Sequence, residues 1–198
     1  MRETNTEHDE ETQAFWTWYR SSATKQDGFT GSSHSSRRHF IPFSTVRQYL
    51  ESPGRMEALL KSIFPNETDV TIDADLIRQH YPRTLAILML LWKGPLIQHF
   101  VQYRSLNDDH LPYHSRPEDF PFSSDPNFFE RFSNEQWQFC AIDLEYNMHV
   151  RLHKEEILPI IRKEEIGHGG NAVIFRVDIH EEYNSLVPHR CQTPVRQE

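Results

Sequence analysis

Ile166-Gly167-His168-Gly169-Gly170-Asn171-Ala172-Val173-Ile174 is the stretch whose reading decides the fold of this chain, and it is the one place where the residues speak directly of chemistry. Gly167 and Gly169 read as one turn of a G-x-G-x-x-G loop, in which a missing Cβ lets backbone N–H groups come close to a phosphate. The element after the glycines separates the folds that use such a loop. A dinucleotide-binding fold runs from them into a helix whose N-terminus holds the pyrophosphate. Here Val173, Phe175, Val177 and Ile179 alternate with Ala172, Ile174, Arg176, Asp178 and His180, a period of two built largely from β-branched and aromatic residues. The expectation is strand, glycine turn, strand, with Arg162-Lys163-Glu164-Glu165 leading in.

The pattern Ile166-Gly167-x-Gly169-Gly170-x-Ala172-x-Ile174 resembles the G-x-G-x-x-G-x-V opening of a protein-kinase domain. The wider run from Phe132-x4-Trp137-x-Phe139 through Ile157-Leu158-Pro159 to Ile179-His180 is similar to a large group of fungal kinase-like proteins that carry a helical region ahead of the kinase domain. The likeness covers about residues 40 to 187, and its chemically specific part is the loop. It implies that Gly167, Gly169 and Gly170 offer backbone to the phosphates of ATP, while Ile166 and Ile174 sandwich the adenine. His168, Asn171, Ala172 and Val173 complete the loop. Ala172 replaces the third glycine of the pattern, where a methyl group still fits. Asn171 stands where a bulky residue usually caps the tip, so poorer closure over the phosphates is expected.

Phosphoryl transfer needs metal ligands, an aspartate that orients the nucleophile and charge neutralisation together. No lysine follows Ile174, and no V-A-I-K, H-R-D-x-x-x-x-N or D-F-G is present. His189-Arg190-Cys191 puts a cysteine where the catalytic base would stand. The expectation is therefore the front of a serine/threonine kinase-like protein, cut short, with an ATP-binding loop but no catalytic residue. The alternative is a non-catalytic interaction module in which the loop is a structural relic and the helical region docks a protein partner.

Composition narrows the partners. A net charge of -8 and basic residues scattered along the chain leave no basic face for nucleic acid. Two cysteines, Cys140 and Cys191, cannot frame a disulfide scaffold, and the opening residues hold no apolar signal core, so a cytoplasmic or nuclear setting is expected. The longest apolar run extends only from Leu85 to Trp92, against the roughly 20 residues of a membrane helix. It reads as a buried helix, and no membrane partner is expected.

Residues 1–39 read as a largely disordered arm, acidic at the front and Ser/Arg-rich at the back. Phe15-Trp16-Thr17-Trp18-Tyr19 interrupts it and reads either as a short helix docked on the core or as a partner-binding motif. Residues 40–158 read as a helical pre-kinase region. Ser44 is a plausible N-cap for a helix carrying Val46, Tyr49 and Leu50. A second helix carries Met56, Leu59, Leu60 and Ile63, a third lies near Ile72–Ile77, and Pro82 sits at the first turn of a central buried helix over Thr84–Lys93. Leu96–Tyr103 resumes the helical pattern after Gly94-Pro95. Four prolines between Leu106 and Asn127 predict loop. Phe128, Phe129 and Phe132 then pack a short helix, Ser133 with Gln136 suggests a capping box, and Trp137–Ile142 reads as extended. Residues 159–187 correspond to the first kinase strand, the glycine loop and the second strand, and 188–198 to a disordered tail.

Other chemistry is weakly signalled. Twelve histidines include the pair His110-x3-His114, but Pro112 between them prevents a helical arrangement and no cluster completes a metal site. Asp108-Asp109 reads as solvated charge on a loop. Cys140 lies in a Trp/Phe-rich segment, where a thiol is inert. The fold expected is α+β: a mainly helical region followed by a C-terminal β-hairpin resembling the first two strands of a kinase upper lobe. A two-stranded hairpin is marginal in water, so either the helical part packs on it or an open edge prone to association remains.

Overall fold

The computed structural model describes residues 4–23, 26–30, 37–65, 72–122, 124–149, 151–170 and 172–186. It is a mixed α+β protein. Helix α1 (Thr4–Ala23) is followed by two short strands, β1 (Asp27–Thr30) and β2 (Arg37–His39). Then come α2 (Phe43–Leu50), α3 (Arg55–Ile63), α4 (Ala74–His80), α5 (Pro82–Leu90), α6 (Ile97–Phe100) and α7 (Phe128–Gln136). Strands β3 (Leu144–Glu145), β4 (Ile157–Leu158), β5 (Ile160–Gly169), β6 (Ala172–Ile179) and β7 (Asn184–Ser185) close the chain. Among the described residues no helix is long and apolar enough to cross a membrane.

The centre of the body is α5, because its apolar residues surround the axis and every face must be covered. Leu85, Ala86, Ile87 and Leu88 are all buried there, with α2, α4, α6 and α7 packed round them. Proline at the first helical position costs no hydrogen bond. The remaining N-terminal amides find their acceptor far along the chain: Asp108 takes the N–H of Arg83 at 2.6 Å, the N–H of Thr84 at 3.0 Å and the Thr84 hydroxyl at 2.7 Å. Asp108 is thus a buried cap and not the solvated loop charge its sequence suggests. The prolines after Leu106 do exclude long helices, and the loop they form brings Tyr113 and Phe120 onto Phe100 and Phe132, whose rings stack 5.6 Å apart.

Several local expectations are corrected by packing. Residues 4–23 of the arm expected to be largely disordered form α1, and residues 27–30 and 37–39 pair as β1 and β2. Phe15 is 1 % exposed, sealed between Trp18 and Tyr49, so the aromatic patch is a docked helix face. Ser44 lies inside α2, whose N-cap is Pro42. Ser133 and Gln136 do meet, Gln136 Nε2 donating to the Ser133 hydroxyl at 3.3 Å, but both lie inside α7 and cap no helix start, and Gln136 also accepts the N–H of Tyr113 at 2.7 Å and donates to its carbonyl at 2.9 Å. Residues 137–139 form a 3-10 turn because Trp137 and Phe139 both turn inward, so the extended reading fails there. The expected tail, residues 188–198, lies outside the described residues.

Among the described residues three small sheets flank the body. Strand β1 lies between β2 and β4, antiparallel to both. Gly28 is needed where β1 crosses β4, because a Cβ there would meet Ile157 Cγ2 at 2.5 Å and the Leu158 carbonyl at 2.6 Å. Phe40, Trp137, Ile157 and Tyr183 form a second apolar cluster under this sheet. From it the chain passes Pro159 and enters the β5–β6 hairpin, which pairs with no other strand among the described residues. After the hairpin the chain returns: the Tyr183 hydroxyl accepts the N–H of Phe43 at 3.0 Å, and Glu182 accepts the N–H and hydroxyl of Ser44. Residues beyond the hairpin therefore cap α2.

Candidate functional site

The glycine stretch sits at the tip of the β5–β6 hairpin. Register pairs Gly167 with Ile174, His168 with Val173 and Gly169 with Ala172, and Gly170 occupies the turn. Asn171 lies outside the described residues. The element leaving Ala172 is a strand, as the period of two requires. Both irregularities in the pairing fall on β5, where Ile161 and Ile166 are extra residues opposite an uninterrupted β6.

None of the loop glycines is demanded by the fold. A Cβ added at Gly167 or Gly170 would meet nothing within 4 Å, and at Gly169 only the Ala172 carbonyl at 3.8 Å. Nor is a left-handed conformation the reason, since Gly54 is the one described glycine with positive φ. The space above the loop backbone is open, as the approach of a ligand would require. Among the described residues the geometry supplies no more of a nucleotide site than this backbone. Ile166 and Ile174, the two residues implied to hold adenine, are 53 % and 55 % exposed, and no opposing wall of protein faces them among the described residues. His168 is engaged by Glu165, its Nε2 standing 2.6 Å from Oε1.

Alternation divides the rest of the hairpin into two faces. One carries charge: Arg162 pairs across the strands with Asp178 and Glu164 with Arg176, and the four line a small recess. The other carries Val173, Phe175, Val177 and Ile179. Lys163 lays its ammonium 3.9 Å from the Phe175 ring centroid and 5.3 Å from that of Phe29, so the cation covers part of this face near the base of the hairpin. The sequence singled out the loop. It passed over the charged set, whose signal is the i, i+2 spacing of opposite charges on two adjacent strands.

The remaining candidates are dispersed. His110 Nδ1 lies 2.7 Å from the Asn107 side-chain carbonyl, whereas the His114 ring lies against Trp137 and His153. Among the described residues no group of three His, Cys, Asp or Glu side chains could hold a metal ion. Cys140 is buried, and burial pushes its thiol up to about 12, leaving no thiolate near neutral pH. Cys191 and the His189-Arg190 beside it lie outside the described residues. An open groove between α1 and the α2–α3 pair is lined by Ala14, Trp18, Tyr49 and Arg55, and its floor is the stacked Trp18–Tyr49 pair at 4.4 Å.

Fold and site together define an α+β protein that carries a bare glycine hairpin on a helical body. No protein-family model, curated protein or solved structure matches the chain.

Proposed function

We propose that this chain is a non-catalytic, kinase-like module: a helical body presenting a glycine-rich hairpin of the type that lies over nucleotide phosphates, without the partners that would make it a phosphotransferase. The observation that carries the reading is the combination of strands on both sides of the loop with glycines that neither packing nor φ requires. A strand leaving Ala172 favours the kinase-type loop over a dinucleotide-binding one, whose turn opens a helix. The exposure of Ile166 and Ile174, with no opposing wall beside them among the described residues, argues that ATP finds few of the contacts it needs on this hairpin. Binding through backbone amides alone is weak, because the phosphate charge stays uncompensated and exposed to water.

Isothermal titration with ATP and Mg²⁺ is the test. The expected result is no saturable binding tighter than about 1 mM and no transfer of the γ-phosphate to a generic protein substrate. Micromolar affinity that disappears in Gly169→Val would show that the loop is a working nucleotide site. Val177, Phe175 and Ile161, each about 40 % exposed, favour a second use of the same hairpin, contact with protein.

A further inference from the structure

We propose that β6 is a self-association edge: two copies of this chain pair their β6 strands antiparallel about a two-fold axis at Val177, forming a continuous four-stranded sheet. The inference rests on the strand edge and its charges and does not depend on what the glycine loop binds.

An unpaired strand edge presents a row of backbone N–H and C=O groups, and proteins that must stay single blunt such edges with bulges, lysine or proline. The hairpin treats its two edges unequally. Strand β5 is entered through Pro159, bears Lys163 and contains both bulges. Strand β6 contains no proline, lysine or glycine, runs without a bulge from Ala172 to Ile179, and pairs on one side only among the described residues.

Among axes centred on residues 175 to 178, charge and apolar pattern select one register, and it is the one that pairs opposite charges. With the axis at Val177, Arg176 stands opposite Asp178 of the second copy and Asp178 opposite its Arg176, while Val177 meets Val177 and Phe175 meets Ile179 on the other face. Moving the axis to Arg176 or Asp178 sets like charges directly opposite each other. Moving it to Phe175 sets Ile174 against Arg176. Like faces must meet in such a pairing, because a one-residue slip would turn each apolar side chain to the charged side. The arrangement is isologous and closes at two copies. Opposite-charge and β-branched or aromatic cross-strand pairs are the contacts that stabilise antiparallel sheets. Arg176 and Asp178 are exposed and available for it, and the ion pair of Arg176 with Glu164 within the chain is a long one at 4.0 Å.

The test is sedimentation of the full chain over a concentration series, with charge reversals and a cysteine cross-link. Arg176→Asp and Asp178→Arg are each expected to weaken the dimer about tenfold or more, because symmetry repeats each new like-charge contact. The double exchange restores the opposite-charge pairs and is expected to recover affinity to within about threefold. Damage to the hairpin itself would persist in the double exchange, since both reversals put like charges against Glu164 and Arg162. In a Cys191→Ser background, Val177→Cys is expected to form a covalent dimer under mild oxidation, since directly opposed Cβ atoms stand about 4.5–5.5 Å apart and a small shift brings them to the roughly 3.5–4.5 Å that a disulfide spans. Ile174→Cys, which would face His180 of the second copy, is expected not to. A wild-type chain that stays monomeric up to about 100 μM, or cross-linking that is equal at 174 and 177, overturns the proposal.

Discussion

Asp108 shows how much one side chain can decide. The N-cap of α5 is Tyr81, which has no side-chain acceptor for the first-turn amides, and the N-cap of α2 is Pro42, which has none either. Both helices are capped from a distance, α5 by Asp108 and α2 by Glu182 with Tyr183. Burial pushes the Asp108 carboxyl from its ordinary 3.8 up to about 6, and the donors from Thr84 and Arg83 offset only part of that desolvation. Folded chain therefore holds the proton more tightly than unfolded chain between those values. Its favourable contribution is complete below about pH 3.8 and is lost as pH rises through about 6, a change of about 3 kcal/mol. Urea unfolding of the wild type and of Asp108→Asn at several pH values checks this: their stability difference should move against the wild type as pH increases from about 4 to about 7. Parallel profiles would mean that Asp108 does not titrate in that window. Nothing in the sequence announces such caps, because the acceptor lies many residues from the amides it serves, and Asp108-Asp109 looks like any solvated pair.

At the scale of elements, legibility follows period and length. Helices α2 and α3 are readable because their apolar residues recur at helical spacing over two turns or more, α5 because an unbroken apolar run from Leu85 to Trp92 follows Pro82, and the β5–β6 hairpin because alternation runs the length of β6 behind the glycines. Strands β3, β4 and β7 are not, since two residues cannot display a period and their place is set by tertiary pairing. Helix α1 lies between these cases. Its acidic and serine-rich surroundings resemble an unfolded arm, and only Phe15-Trp16-Thr17-Trp18-Tyr19 betrays a buried face. That face is fixed by Phe15 against Tyr49, by Tyr19 donating to Gln138 at 2.8 Å, and by an Arg55–Glu11 ion pair at 2.7 Å. Most of the helix's attachment is apolar, and the partly exposed ion pair adds at most about 1 kcal/mol. Phe15→Ala should therefore cost about 3–5 kcal/mol and release α1. Faster tryptic cleavage after Arg20, with the near-ultraviolet spectrum of the Trp16–Trp92 stack lost, is the expected readout. Unchanged cleavage would mean that the ion pair and polar contacts hold the helix.

For the whole molecule, the contrast that matters is between a body closed on α5 and a hairpin joined to it at the base. The backbone N–H of His180 donates to the Pro159 carbonyl at 2.9 Å where the two strands enter and leave, and Lys163 reaches Phe29 nearby. Beyond that base no residue of β5 or β6 is buried, and a two-stranded hairpin with both faces wet has little stability of its own. The period of two makes the hairpin visible in the sequence, but alternation says nothing of what covers either face, so its bareness is not visible there. Local opening should therefore precede global unfolding. Hydrogen exchange on a dilute sample should show amides of residues 160–179 exchanging far faster than those of 85–91, which are sealed in the core. Raising the concentration then separates the two edges. If β6 recruits a second copy, protection should grow along residues 172–179 and stay unchanged along the outward amides of β5, because only one edge gains hydrogen-bond acceptors. Uniform protection of both strands at every concentration would instead mean that the hairpin is folded onto the body, and the separation into a stable unit and a labile one would have to be given up.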